Sequence, residues 1–91
     1  MLIVYRVADG TVVNISGLRP AAEVPRELVD SIRLVDRLPE GQAEYRIYDA
    51  AMMNAVWEAF DRGAKLEIAL DINGQPVGIK ADGAVLQGST P

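Results

Sequence analysis

Ninety-one residues, 49% of them hydrophobic, suit one globular domain and argue against disorder. With no cysteine and no histidine, the chain lacks a disulfide framework, a thiolate site, the usual neutral-pH general base and the commonest metal ligand. Nine basic residues are scattered among thirteen acidic ones, for a net charge of −4; nucleic acid is disfavoured as a partner, because that affinity rests on neutralising phosphates.

The apolar start, Met1-Leu2-Ile3-Val4-Tyr5, is short and is interrupted by Arg6 and Asp9. It reads as a strand, not as a signal peptide or a membrane span. The expected location is the cytoplasm. Leu2–Val7 and Thr11–Ser16 form a hairpin around Ala8-Asp9-Gly10. A two-residue Asp9-Gly10 turn would mix polar and apolar side chains on both faces. A three-residue loop with Gly10 left-handed in a bulge gathers Ile3, Tyr5, Val7, Val13 and Ile15 on one face, so this register is preferred. Leu2 and Val4 are then left on the opposite face. An open strand edge beside them implies a second copy or another protein, unless Leu18–Leu38 folds back and covers them.

Residues 17–48 are broken by Pro20, Pro25 and Pro39. Pro25 suits the start of a short helix reaching Asp30. Ser31–Arg37 fits either a continuation of that helix or a strand, and Pro39-Glu40-Gly41 reads as a turn. Glu44–Tyr48, rich in aromatics, reads as a strand leading into the main helix. That helix spans Ala50–Arg62, with Asp49 as N-cap and Gly63 left-handed after it. Met53, Val56, Trp57 and Phe60 make one apolar stripe at helical spacing, predicted to pack on the sheet.

Leu66–Ile72 and Gln75–Ala81 form the second hairpin. A two-residue Asn73-Gly74 turn pairs Leu66 with Ala81, Ile68 with Ile79 and Leu70 with Val77, whereas a three-residue loop would pair Leu70 with Pro76. Pro76 places its strand at an edge, or turns its missing donor to solvent. A short strand over Ala84–Gln87 follows Asp82-Gly83, and residues 88–91 read as a flexible tail. The expected fold class is α+β: a mostly antiparallel twisted sheet built from two hairpins, with one long amphipathic helix on it, in one domain over residues 1–87.

No pattern in the chain demands chemistry. Asp71-Ile72-Asn73-Gly74 superficially matches the start of a calcium loop, but Pro76 and Asp82 stand where that loop needs glycine and glutamate. The serines have no histidine to activate them, and the glycines follow no nucleotide-binding spacing. The expectation is therefore a non-enzymatic chain with no cofactor, metal or small-molecule site. Tyr45, Arg46, Tyr48 and Trp57 belong to the residue types enriched at interface hot spots. Arg46 and Tyr48, with Leu2 and Val4, are the candidate interaction residues.

Leu2-Ile3-Val4-Tyr5, Gly10 with Val12-Val13-Asn14-Ile15-Ser16-Gly17, Tyr45-Arg46-Ile47-Tyr48-Asp49, and Asn73-Gly74 with Val77 together resemble small prophage-encoded tail-region accessory proteins. The resemblance implies a structural or accessory role in a phage particle or its assembly, and it assigns no functional residues. The alternative expectation is a small cytosolic regulatory module that binds another protein.

Overall fold

A computed structural model describes residues 1–33 and 37–86. Two three-stranded antiparallel sheets and two helices make up the α+β fold. In the first sheet the order is β2 (Val12–Ser16), β1 (Leu2–Arg6), β3 (Gln42–Arg46). In the second it is β4 (Leu66–Leu70), β5 (Pro76–Ala81), β6 (Ala84–Val85). Helix α1 (Arg26–Asp30) lies between β2 and β3, and α2 (Ala50–Asp61) between β3 and β4. At twelve residues α2 is of ordinary length, not long.

β1 is a central strand, which corrects the expectation of an open edge there. A strand covered on both faces needs apolar side chains at every position, and Met1–Tyr5 supplies them. Ile3 and Tyr5 face the main core, whereas Leu2 and Val4 are 1% and 4% exposed on the other side. The even-numbered apolar residues thus mark a doubly buried strand and leave no free face.

Both hairpins are one residue longer in the loop than expected, and each absorbs the excess in a bulge. In the first, the Gly10 N–H donates to the Arg6 carbonyl at 2.7 Å, which closes a longer turn around the left-handed Gly10. Leu2↔Ser16, Ile3↔Ile15 and Val4↔Asn14 pair as read from the sequence. Tyr5 then pairs with Val12, so Val13 is the extra residue and points outward. In the second, Leu70 pairs with Pro76, and the extra Val77 restores Ile68↔Ile79 and Leu66↔Ala81. The Asp71 carboxylate accepts from the N–H groups of Asn73 and Gln75, which favours this wider turn over the two-residue one and leaves Ile72 fully exposed. The two-residue turn occurs instead at Asp82-Gly83, where both φ values are positive and Ala81 pairs with Ala84. β6 reaches only the Lys80–Ala81 end of β5, so the Pro76 end has β4 as its one ladder partner.

α2 begins and ends as read. The Asp49 carboxylate accepts from the Met52 N–H at 3.0 Å, and Gly63 is left-handed. Its buried stripe is rotated, however: Ala50, Met53, Val56 and Ala59 lie inside, Trp57 is half-buried and Phe60 is 54% exposed. Small side chains at both ends of the ladder let the helix axis sit close to the strands, and this pushes the larger aromatics toward the rim. One core unites Ile3 and Tyr5 with Met53, Val56, Ala59, Ile68 and Ile79.

The sheets are joined at a seam where Thr11 bridges Glu67 and the Ile68 N–H donates to the Gly10 carbonyl at 2.7 Å. A Cβ on Gly10 would stand 2.3 Å from the Ile68 oxygen, and the φ of +78° already disfavours one. The proposed continuation over Ser31–Arg37 lies partly outside the described residues, as do Gln87 and the tail at 88–91. Among the described residues, no helix is long and apolar enough to cross a membrane.

Candidate functional site

The four residues singled out in the sequence serve the chain's own fold. Leu2 lies directly across from Arg46, and Val4 from Glu44, on the face turned away from α2. The Arg46 guanidinium donates to the carbonyls of Val29 and Ile32 at 2.7 and 2.8 Å, which brings the chain leaving α1 against that face. The Tyr48 hydroxyl donates to the Asp30 carboxylate at 2.6 Å, and the Arg26 guanidinium stands 4.0 Å from the centre of the Tyr48 ring. The bond to Asp30 holds the Tyr48 phenol above the usual tyrosine range. Arg46 and Tyr48 are thus clamps on α1, and Leu2 and Val4 are buried in the central strand.

A second clamp straps residues 18–20 across α2. The Trp57 indole N–H donates to the Leu18 carbonyl at 3.0 Å, and the Asn54 side chain donates to the Pro20 carbonyl at 2.9 Å. Arg19 forms a two-pronged pair with Asp61 and lies 5.0 Å from the centre of the Trp57 ring. The Arg19 hydrogen bonds hold the Asp61 carboxyl below its ordinary range.

Beside this strap, an apolar groove of about 360 Å³ opens between the two sheets. It begins where the seam ends. Beyond Thr11, β2 and the chain entering β4 separate, and the rim of α2 lies between them. Val13 and Ile15 come from β2, Trp57 and Phe60 from α2, Lys65 from the approach to β4 and Leu66 from its first position. Trp57 and Phe60 meet edge to face at 5.7 Å between ring centres. Val13 is 51% exposed, because the bulge turns it out of the ladder, and Phe60 is exposed because the helix is rotated. A larger hollow of about 480 Å³ lies between Pro20–Glu23 and α2, but it has an alanine floor and a polar rim of Asn54 and Glu58. The aromatic groove is the better binding surface, since large rigid rings supply contact area at little entropic cost.

Sequence reasoning placed Val13 and Phe60 in the core, and so passed over the groove. The available signal was Ala50 and Ala59, three residues to either side of Met53 and Val56, which complete a buried ladder that excludes Phe60. The bulge that exposes Val13 had no signal of its own.

The aspartate side chains are committed elsewhere. Asp9 accepts from the Thr11 N–H, Asp30 from Tyr48, Asp49 from the Met52 N–H, Asp61 from Arg19, Asp71 from two turn N–H groups, and Asp82 from the Lys65 N–H. Every aspartate among the described residues therefore fixes a turn, a helix start or a clamp. The Thr11 N–H also keeps the Asp9 carboxyl below the usual carboxylate range. No protein-family model matches the chain, and no curated protein and no solved structure is detectably similar to it.

Proposed function

We propose that this chain is a non-enzymatic protein-binding domain whose contact surface is the groove rimmed by Val13, Trp57 and Phe60. The observation that carries this reading is the outward placement of two large apolar side chains, Val13 and Phe60, around a single concave surface. The lack of histidine and cysteine supports a non-catalytic role, because it removes the usual neutral-pH general base and the thiolate nucleophile. The resemblance to prophage tail-region proteins favours a structural or accessory place in a phage particle or its assembly, with the partner a protein of that particle.

The test is site-specific photocrosslinking. A benzophenone amino acid at position 60, introduced in cells that make the chain, should trap one predominant protein, and the same probe at the exposed turn residue Gln75 should not. Val13→Asp, in a chain that keeps its fold, should abolish the adduct. Capture of a virion protein supports the phage role, and capture of a regulatory protein assigns the domain to the cytosolic alternative. Equal labelling at positions 60 and 75, or an adduct untouched by Val13→Asp, would overturn the groove as the contact surface.

A further inference from the structure

We infer, resting on that binding role, that the occupant of the groove is an extended, acidic segment of a partner protein, which pairs with the free edge of β2. The backbone geometry argues for a strand. β2 and β4 start as neighbours at the Thr11–Glu67 bridge, and continued pairing would set Val13 opposite Lys65. Instead, the Lys65 N–H donates to the Asp82 carboxylate and the Lys65 carbonyl accepts from the Asp82 N–H, both at 2.9 Å. Lys65 is thereby drawn to the second sheet. Among the described residues, β2 has no second ladder neighbour beyond the seam. The bulge at Val13 lies at the closed end of the groove, so Asn14–Ser16 keep regular ladder positions. An open strand edge beside an apolar trough is the geometry of strand addition, in which backbone bonds give affinity and alternate side chains enter pockets.

The charge argues for acidity. In a chain of net charge −4, the groove is lined by no carboxylate, and Lys65 is its one charged residue. Lys65 makes no salt bridge among the described residues, because Asp82 bonds to its backbone and not to its ammonium group. The end of α2 does not neutralise it either: the carbonyls of Glu58, Ala59 and Phe60 accept from the N–H groups of Arg62, Ala64 and Gly63. A carboxylate on an incoming strand would meet an unpaired cation at the rim, with its apolar neighbours over Trp57 and Phe60. A second copy of this chain fits less well, since its own open edge strand, Val12–Ser16, carries no carboxylate to offer Lys65.

The experiment uses the whole chain, isotope-labelled, with two synthetic peptides: one alternating valine and glutamate, the other alternating valine and lysine. Amide shifts at Asn14–Ser16 and fluorescence of Trp57, the sole tryptophan, report occupancy. The glutamate peptide should shift both and should bind roughly fivefold more tightly than the lysine peptide, the scale of one exposed ion pair. Lys65→Gln should erase the preference, and Lys65→Glu should reverse it, with the remaining amide spectrum unchanged because Lys65 is exposed. Equal binding of the two peptides, or a preference that survives Lys65→Glu, would overturn the acidic assignment and leave the groove as a protein contact. Shifts at Trp57 without shifts at Asn14–Ser16 would overturn strand addition alone. With no saturable response to either peptide, the extended-segment inference fails, and the crosslinking result decides separately whether the groove binds protein.

Discussion

The two sheets obtain their third strand by different routes. In the second sheet β5 pairs with β4 and β6 with β5, through the Asp71–Gly74 turn and then the Asp82-Gly83 turn. In the first, β1 pairs locally with β2 but takes β3 as its other neighbour after residues 17–41 have intervened. Local closure costs little loop entropy and is written in turn residues. Distant closure must be held by side chains that reach back, here Arg46 and Tyr48 on α1 and Trp57 on the strap. The clamps cluster around the sheet whose closure is remote.

The sharpest way to break this contrast is to place a charge on each sheet. Val4 is 4% exposed in the central strand of the first sheet, whereas Val85 is 60% exposed at the outer strand of the second. Val4→Lys would strand an ammonium group in a buried site of the central strand, at a cost of several kcal/mol. That is a large part of the roughly 5–15 kcal/mol by which domains are stable, so the variant should be unfolded or nearly so by circular dichroism. Val85→Lys should stay within about 0.5 kcal/mol of the parent in urea unfolding. A folded, cooperative Val4→Lys variant would mean that the face under Leu2 and Val4 opens readily.

A smaller difference separates the left-handed glycines of the first two hairpin turns. Gly10 and Gly74 have nearly equal φ values, +78° and +77°, so the backbone strain of an added Cβ is the same at both. Their surroundings differ: at Gly10 the Cβ meets the Ile68 carbonyl, and at Gly74 it meets open space. Gly74→Ala should therefore cost about 1–2 kcal/mol from conformation alone. Gly10→Ala adds an overpacking cost of about 1–3 kcal/mol at the seam, for a total of about 2–5 kcal/mol. Urea midpoints compared at a common slope check the ordering. Equal losses at the two sites would show that the seam between the sheets yields without cost.

What was legible in the sequence follows the same division. Asp49 and Gly63 bounded α2 correctly, because capping chemistry acts within one turn of its own residue. The pairings Ile3↔Ile15 and Ile68↔Ile79 were legible from alternation. The turn lengths were not, since a bulge restores the alternation that a longer loop disrupts, and two errors of one residue cancel at the strand centre. Leu2 and Val4 looked like a face in search of a partner because the strand that makes β1 central, β3, lies far away in the chain. Arg46 and Tyr48 were picked out as interaction residues for the right chemistry; the surface they hold belongs to their own chain. The groove was missed because helical periodicity ranks the large Phe60 above the small Ala59, while close packing favours the reverse.

The smallest expected effects come from the two clamps, and they appear at opposite ends of the pH scale. The Arg19 hydrogen bonds lower the Asp61 carboxyl below the ordinary 3.8. With a folded-state value below the unfolded one, the strap's contribution is fully present above that ordinary value and is lost as pH falls through the lower, folded one. The bond to Asp30 raises the Tyr48 phenol above the ordinary 10.0. The α1 clamp is therefore at full strength below that value and is lost as pH rises through the higher, folded one. Both pairs are solvent-exposed, so each contribution is small and screened by salt. Acid titration to below the ordinary carboxyl value of 3.8 should release the strap, seen as a change in Trp57 fluorescence that Asp61→Asn removes. Alkaline titration should show Tyr48 ionising above the ordinary 10.0, a delay that Asp30→Asn abolishes. A fluorescence change in acid that survives Asp61→Asn would mean that the strap is held by the Trp57 and Asn54 bonds without help from the ion pair.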